Sequence, residues 1–281
     1  MNSPSPGERR FSFEFSAPKN DDAIKKMMKV HERLSELNPD FFSVTYGAGG
    51  STKDGTRQAV LDINSKGSEV APHLSFGGDS QEKIEQLIQD YKTAGIKRVV
   101  ALRGDIPSGM GSSRNMAYAN ELVSLIREKT GDHFHIEVAA YPEIHPESSS
   151  ATSDLKYFKQ KVDAGADSAI TQYFYSADAY FKFLDSCDSL GVNIPIVPGI
   201  MPITNYRGLV RFSNNCGADI PRWILKHLET YEHDPESLKA FGDEVVTNLC
   251  QRLLDGGAPG LHFYTLNQSL PTIRIWRNLG L

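Results

Sequence analysis

Eight short apolar or β-branched runs, alternating with longer segments of helical period, organise the chain. In segments 21–37 and 80–94, apolar residues recur three and four positions apart, with charged residues on the opposite face. This alternation is typical of a parallel sheet whose strands are joined by right-handed helical crossovers. The eight predicted strands are 11–15, 41–44, 70–74, 98–102, 135–139, 168–171, 196–198 and 260–263.

Eight βα repeats are the number that closes a parallel sheet into a barrel. We therefore predict a single-domain (β/α)8 TIM barrel over residues 11–281, preceded by a flexible tail at residues 1–10. An open doubly wound sheet is the alternative. It is disfavoured because no G-x-G-x-x-G motif follows the first predicted strand.

Several helix boundaries are also visible in the sequence. Asp79 or Ser80 can cap the third helix, and Gly95 can supply the left-handed residue that ends it. Helical stretches at 206–216, 221–230 and 236–255 lie between the last two predicted strands, so we expect an extra helix there.

Composition narrows the class of protein. With 40% hydrophobic and 23% charged residues, the chain is typical of a water-soluble globular protein. A net charge of −5 disfavours nucleic acid as a partner, and no apolar stretch is long enough to span a membrane. The 3 cysteines are far apart, which favours neither a zinc site nor a disulfide framework. We expect a cytoplasmic protein.

Polar residues gather where the predicted strands end, and barrel enzymes bind their ligands there. Acids at Glu14 and Asp105 beside apolar runs suggest perturbed pKa values and a site, although Glu14 can instead pair with an interior lysine or arginine. The strand-end residues are Glu14, Thr45, Tyr46, His73, Arg103, Asp105, Tyr141, His145, Gln172 and Tyr264.

Two segments suggest an anionic ligand, each with a plainer alternative. Gly104 lets a phosphate or a ring approach the backbone, but 103–107 also fits an ordinary βα turn. Asp154 and Lys161 lie seven residues apart on one helical face, next to serines that can bind a pyrophosphate, but this face can simply be solvated. We predict no metal, because the histidines lack ligand spacing.

Nine strings along the chain form a more specific pattern. They are FEF (13–15), FSVTYGA (42–48), APHL (71–74), VALRGDIP (100–107), AAYPEIHP (139–146), KVDAGA (161–166), ITQYF (170–174), PGIMPI (198–203) and HFYTLN (262–267). Together and in this order they resemble the flavin-dependent methylenetetrahydrofolate reductase family. Any one of the strings alone is a weak signal.

The resemblance implies a (β/α)8 barrel that binds FAD. It further implies that NADH or NADPH is used to reduce 5,10-methylenetetrahydrofolate to 5-methyltetrahydrofolate, which supplies methyl groups for methionine synthesis. Because nicotinamide and folate would use the same flavin face in turn, ping-pong kinetics are expected. The implied flavin-binding residues are Thr45, Tyr46, Ala48, His73, Arg103, Gly104, Asp105, Tyr118, Tyr141, His145, Asp154 and Lys161.

The resemblance also implies roles for Glu14, Asp105 and Gln172 as catalytic and folate-binding residues. Glu14 would protonate the departing N10 of the folate, with a pKa raised by desolvation beside Phe13, Phe15 and the flavin. Asp105 would stay ionised and stabilise the cationic iminium, and Gln172 would bind the pterin edge. Phe212 would help to shape the ligand pocket.

One position departs from the family pattern, since Gly208 stands where many members have glutamine. The short N-terminus and the lack of a C-terminal regulatory domain resemble the bacterial form, for which inhibition by S-adenosylmethionine is not expected. A dimer or tetramer is expected by analogy, whereas the choice between NADH and NADPH stays open.

Two other functions remain as alternatives. A barrel aldolase or lyase would use the same rim carboxylates without flavin. A flavin- or folate-binding protein without turnover is disfavoured, because Glu14, Asp105 and Gln172 are all present.

Overall fold

A computed structural model of the chain describes residues 9–46, 53–77, 79–104 and 118–281. In these ranges the backbone forms nine strands and ten helices. The strands are β1 (Arg10–Phe15), β2 (Phe41–Val44), β3 (Val70–Leu74), β4 (Arg98–Ala101), β5 (His135–Ala140), β6 (Ser168–Thr171), β7 (Ile196–Val197), β8 (Gly199–Ile200) and β9 (Gly260–Tyr264). The helices are α1 (Asp21–Ser35), α2 (Lys53–Ser65), α3 (Gln81–Thr93), α4 (Ala119–Thr130), α5 (Ala151–Asp163), α6 (Ala177–Ser189), α7 (Tyr206–Cys216), α8 (Arg222–Thr230), α9 (Pro235–Asp255) and α10 (Leu270–Asn278).

The strands form one parallel sheet in the order β7-β6-β5-β4-β3-β2-β1-β9-β8. Only Pro198 separates β7, which pairs with β6, from β8, which pairs with β9. The carbonyl oxygen of Pro198 accepts a hydrogen bond of 3.0 Å from His262 N, whereas proline has no N–H to continue the ladder. The two segments therefore act as one interrupted strand that closes the sheet, and the predicted (β/α)8 barrel is confirmed.

The element boundaries follow the predictions closely, with small differences. Strand β1 begins at Arg10, one residue inside the predicted tail, and Arg9 donates to the Leu254 carbonyl at 3.0 Å. Residues 1–8 of the predicted tail lie outside the described residues. Helices α7, α8 and α9 fill the segment between β8 and β9, which confirms the expected additional helices.

Of the two predicted ends of the third helix, the glycine at its C-terminal end is confirmed and the side-chain cap at its N-terminal end is not. Ser80 occupies the N-cap position of α3, but its side chain makes no capping hydrogen bond. The Asp79 carboxylate instead accepts a hydrogen bond from the Tyr46 hydroxyl at 3.3 Å, so side-chain capping by either residue was a wrong prediction. Gly95 does follow the helix with φ +80°, in the left-handed region that favours glycine.

Strand alternation divides β1 between two environments. Phe13 packs on Trp276 of α10 with ring centroids 5.9 Å apart, and Phe15 stacks on Phe42 at 5.5 Å, so both rings face the helical layer. Ser12 and Glu14 alternate with them and therefore face the barrel interior. The same strand thus supplies both core packing and polar groups inside the barrel.

The barrel interior is layered. Arg98 and Glu137 form a buried ion pair of 2.6 Å, and the Arg98 guanidinium lies 4.5 Å above the Phe41 ring. Phe41 belongs to a small apolar layer with Ala71, Val100 and Ile170. Glu14 lies nearer the carboxyl ends of the strands, where loops can bring ligands.

The cysteines make no disulfide. Cys187 and Cys250 are buried thiols, and Cys216 is half-buried at the end of α7. Among the helices that the structure describes, none combines the length and the apolar character needed to cross a bilayer.

Candidate active site

A cleft of about 470 Å3 opens at the carboxyl ends of β3, β4 and β5. This volume lies within the range of about 300–1,000 Å3 that is usual for ligand pockets. Most of the described residues predicted to bind the flavin line the cleft. They are Tyr46, Arg103, Gly104, Tyr118, Tyr141, His145, Asp154 and Lys161.

Both cations and carboxylates line the cleft. The Arg103 guanidinium pairs with Glu147 at 2.5 Å, and Asp154 accepts a hydrogen bond of 3.0 Å from the backbone N–H of His145. Lys161 donates to the Ala139 carbonyl at 2.5 Å. Burial lowers the pKa of Lys161 to about 8, against the opposing effect of Asp154. Two cations beside acceptors for hydroxyl groups suit a phosphorylated, ribose-containing ligand.

Aromatic rings add flat surfaces to the same cleft. The Tyr141 and His145 rings meet edge-on with centroids 4.5 Å apart. Burial lowers the pKa of His145, which favours its neutral form near neutral pH. Burial and the neighbouring Asp79 carboxylate raise the pKa of Tyr46, so its hydroxyl stays protonated. The cleft can therefore accept a planar ring as well as an anion.

Gly104 brings two strand-end loops into contact. It has φ +82°, and a Cβ atom there would lie 2.6 Å from Ser75 Oγ, so only glycine fits. The group that lies closest to the Gly104 backbone is thus the Ser75 side chain, where the sequence suggested a phosphate or a ring. The neighbouring Arg103 forms an ion pair with Glu147. Asp105 and Ala48, both predicted to contact the flavin, lie outside the described residues.

Glu14 lies between two histidines inside the barrel. Its Oε2 atom is 3.3 Å from Nε2 of His73 and 3.6 Å from Nε2 of His262. The Glu14 side chain is 16% exposed, that of His73 is 8% exposed and that of His262 is fully buried. Among the described residues, the charged partners of Glu14 are these two histidines, and not the interior lysine or arginine considered from the sequence.

The predicted direction of the Glu14 pKa shift was wrong for the protein alone. Burial raises the pKa of Glu14, but the contacts from His262 and His73 outweigh it and lower the pKa to about 2. Phe13 and Phe15 cannot desolvate the carboxyl as expected, because they face the helices. The imidazoles therefore determine the electrostatics of Glu14.

Sequence reasoning missed Ser12 and His262. Ser12 Oγ lies 2.7 Å from His262 Nδ1, and these residues are register partners across the β1–β9 pair. Ser12 could have been found from the two-residue strand period, since it shares a face with Glu14. His262 could not, because its position depends on the closure of the barrel.

Gln172 follows β6, which is separated from β1, the strand of Glu14, by the interrupted strand β7/β8 and by β9. Its Oε1 atom accepts a hydrogen bond of 3.0 Å from Tyr173 N. Nearby, the Tyr264 hydroxyl donates to the Thr171 carbonyl at 2.7 Å and so connects the ends of β9 and β6. Tyr264, which had no assigned role from sequence, therefore reaches from β9 to the end of β6, next to Gln172.

The remaining predicted residues have other surroundings. Thr45 and His73 do not line the cleft, and Thr45 Oγ1 accepts from Ala17 N at 3.0 Å. Phe212 is 44% exposed on α7. Gly208 lies in the first turn of α7, where its N–H donates to Asn205 Oδ1 at 2.6 Å. Their roles toward a ligand stay predictions. In the ranges that the structure describes, no cluster of three acidic, histidine or cysteine side chains could hold a metal ion.

A family model described as methylenetetrahydrofolate reductase matches residues 2–280. The chain belongs to the methylenetetrahydrofolate reductase family. Membership confirms the resemblance drawn from the strand-end strings, and it makes the protein an enzyme of this family rather than a barrel lyase.

Curated relatives agree with the family assignment. The chain is 40% identical to 5,10-methylenetetrahydrofolate reductase of Pectobacterium carotovorum, with 98% of this chain and 91% of the relative covered. It is 42% identical to the reductase of Buchnera aphidicola, with 96% and 91% covered. It is 41% identical to methylenetetrahydrofolate reductase (NADH) 1 of Arabidopsis thaliana, of whose length it covers 49%.

Solved structures of low identity support the barrel fold alone. An uncharacterized Clostridium thermocellum protein that binds two copies of 5-methyl-5,6,7,8-tetrahydrofolic acid superposes with a TM-score of 0.68 at 17% identity, covering 97% of this chain and 95% of that one. A dihydropteroate synthase from Xanthomonas albilineans reaches 0.53 at 11% identity, covering 97% and 93%.

Proposed function

We propose that this protein reduces 5,10-methylenetetrahydrofolate to 5-methyltetrahydrofolate, using FAD and a nicotinamide donor. The observation that carries the proposal is that the cleft lies at the carboxyl ends of the strands and that Glu14 is one residue from the same end of β1. Since one position beside the flavin would serve both substrates in turn, we expect ping-pong kinetics.

The residues of the cleft fit FAD. Arg103 and Lys161 carry the positive charge that a diphosphate needs, Asp154 can accept from a ribose hydroxyl, and Tyr46 and Tyr141 offer surfaces for a ring. Bound FAD would supply hydride transfer. The rest of the proposed set is Thr45, Ala48, His73, Gly104, Asp105, Tyr118 and His145.

Glu14 would protonate the folate N10 atom, so that the imidazolidine ring opens before hydride arrives. In the protein alone its pKa is about 2, so the carboxyl is ionised at neutral pH. Ligands stacked above Glu14 would exclude water and raise this pKa, and His73 Nε2 is close enough at 3.3 Å to exchange a proton with the carboxylate.

Asp105, Gln172 and Phe212 would hold the folate. Asp105 would offer a negative charge to the iminium carbon, and the Gln172 amide can donate and accept at the pterin edge. The exposed Phe212 ring would contact the folate from α7. Gly208 has no side chain, so it would not make the folate contact expected of the glutamine that many family members have at this position.

The proposal extends to the cellular setting. The product would supply methyl groups for methionine synthesis in the cytoplasm. The protein would be a dimer or a tetramer, and it would bind neither nucleic acid nor a membrane. Since the printed name of the Arabidopsis relative specifies NADH, this is the first donor to test, with NADPH as the comparison.

An anaerobic absorbance titration tests the proposal. The purified protein is reconstituted with FAD and titrated first with NADH or NADPH, then with methylenetetrahydrofolate. We expect the flavin absorbance to bleach with the donor and to return with the folate. Failure to bind FAD, or bleaching that folate does not reverse, would contradict the proposed function.

A further inference from the structure

Beneath Glu14 lies a buried serine–histidine pair to which the proposed reaction gives no role. Ser12 is 3% exposed and His262 is fully buried. Their hydrogen bond, from Ser12 Oγ to His262 Nδ1, measures 2.7 Å. The other ring nitrogen of His262, Nε2, lies 3.6 Å from Glu14 Oε2. The three side chains therefore form a line from the barrel interior toward the site.

The Ser12 hydroxyl and Nδ1 of His262 are hydrogen-bond partners at 2.7 Å, and which of them donates depends on the tautomer of the ring. Donation from the hydroxyl to Nδ1 is the arrangement that leaves an Nε2–H for the Glu14 carboxylate. An imidazole that accepts at Nδ1 is protonated at Nε2 when it is neutral. In this arrangement the N–H of His262 faces Glu14.

His262 Nε2 and His73 Nε2 are both buried and make no hydrogen bond to a described residue. Both nitrogens approach the same carboxylate atom, Oε2 of Glu14. A distance of 3.6 Å is longer than a hydrogen bond, but such contacts commonly tighten when ligands bind. An oxygen that faces two N–H donors accepts well and is a poor place for a proton. The other oxygen, Oε1, is then the one that carries the proton to be donated.

We propose that Ser12 and His262 are positioning residues for Glu14: they hold Oε2 as an acceptor and so direct the transferable proton to Oε1. This inference rests on the proposed function, in which Glu14 is the general acid. His262 itself donates no proton to substrate, because it is buried behind Glu14. Its effect is on the orientation of the carboxyl and on the equilibrium between its ionised and neutral forms.

Among the described residues, the titratable groups that face Glu14 are His73 from β3 and His262 and Tyr264 from β9. The contacts from the two histidines lower the pKa of Glu14, so weakening the His262 contact raises it. A reaction that needs protonated Glu14 then loses rate at a higher pH than in the unaltered protein.

The matched variants are Ser12→Ala and Ser168→Ala. Ser168 is also a buried barrel serine, 2.6 Å from His135 Nε2 and 2.6 Å from Glu137, but it lies at the amino-terminal end of β6. Each substitution thus removes a serine from a serine–histidine–glutamate set, and only one of these sets contains Glu14. A purely structural effect would appear in both variants.

The first measurement is the tautomer of His262, read from 15N chemical shifts of the protein labelled in histidine, with His262→Gln identifying the resonance. We expect the Nε2–H tautomer in the unaltered protein and in Ser168→Ala, and its loss in Ser12→Ala. An unchanged tautomer in Ser12→Ala would overturn the assignment of Ser12.

The second measurement is stopped-flow kinetics of both half-reactions across pH. We expect Ser12→Ala to keep flavin reduction unchanged and to slow folate reduction about tenfold, part of the roughly 10²–10⁴-fold that a general acid contributes. Its alkaline limb should move to higher pH. If the unaltered protein turns over and Ser12→Ala keeps both the rate and the profile, the positioning role is wrong. If the unaltered protein does not turn over, the proposed function fails, and the inference fails with it.

Discussion

Glu14 Oε2 lies 3.3 Å from His73 Nε2, across the barrel interior from β1 to β3. The contacts from His262 and His73 together keep this largely buried carboxyl ionised, because the two imidazoles outweigh the effect of burial on its pKa. In the protein alone, Glu14 is therefore ionised. It can act as an acid only after bound ligands exclude water, raise its pKa and allow it to take up a proton.

Glu14→Gln tests the acid role directly. Glutamine keeps the size of the side chain but has no acidic proton, so the folate N10 atom would lose its donor. We expect flavin reduction by NADH to stay within about twofold and folate reduction to fall by roughly 10²–10⁴-fold. Single-turnover kinetics of each half-reaction measure the two effects separately.

Glu143→Gln is the control for this substitution. Glu143 is another half-buried carboxyl, in the segment after β5, and it accepts a hydrogen bond of 2.8 Å from Asp219 N that an amide oxygen can also accept. Both half-reactions of Glu143→Gln should proceed at the rates of the unaltered protein. Equal losses in both half-reactions of Glu14→Gln would remove Glu14 from the acid role.

The lowered pKa of Lys161 leads us to expect that FAD binding depends on pH. With a pKa lowered to about 8 by burial, its charge is lost as pH rises through 8, while a surface lysine would keep its charge. We expect FAD affinity to decline above about pH 8 and Lys161→Gln to bind weakly at every pH. Flavin fluorescence titrations from pH 6.5 to 9.5 would measure this. The exposed Lys156→Gln, on the same helix, should retain the decline.

The stability of the protein should change in the opposite sense over the same range. The pKa of Lys161 is lower in the folded chain than in the unfolded chain, so the unfolded chain binds more protons between about pH 8 and 10.4. The contribution of Lys161 to the free energy of unfolding therefore becomes more favourable as pH rises through that window. A Lys161 effect on stability with the reverse sign would show that its burial is not the cause of the shift.

The sequence was sufficient for the barrel because the strand signal is local. Runs such as 70–74 are buried on both faces, as the strands of a parallel sheet must be, and Gly95 marks a helix end by its backbone alone. That Asp154 and Lys161 share a face was also predictable, since this needed only the helical repeat, whereas the repeat alone did not distinguish a ligand site from a solvated face.

The surroundings of Glu14 were not predictable in the same way. That Phe13 and Phe15 face away from Glu14 follows from strand alternation, but which groups replace them depends on how the barrel closes. His262 comes from the other end of the chain, and Pro198 interrupts the strand beside it. Such non-local register is not encoded in any single segment.

Gly199→Ala tests the closure of the barrel. A Cβ atom there would lie 2.1 Å from the Thr171 carbonyl oxygen and 2.6 Å from the Tyr264 ring, so strand and ring would both have to move. We expect the substitution to cost about 1–3 kcal/mol in the free energy of unfolding, measured by urea denaturation. An unchanged denaturation midpoint would mean that β8 does not pack against Tyr264 in this way.

Glu137→Gln tests the ion pair at the amino-terminal end of the barrel. Glu137 is 3% exposed and Arg98 is 8% exposed, so the substitution leaves a buried guanidinium for which the described residues provide one other ionic partner, the half-exposed Glu69. We expect a loss of about 3–5 kcal/mol in the free energy of unfolding at pH 7. The exposed Glu128→Gln should leave this free energy nearly unchanged.

Acid should weaken the same ion pair. Burial raises the pKa of Glu137, but His135, Arg98 and Ser168 together lower it below its ordinary value. A carboxyl with a lowered pKa stabilises the folded chain above its unfolded value of about 4.3, and this contribution is lost as pH falls through the folded pKa. Urea denaturation between pH 7 and 3 should therefore show a decline below about pH 4 that is shallower in Glu137→Gln. Equal slopes in the two proteins would show that Glu137 is not ionised by its partners.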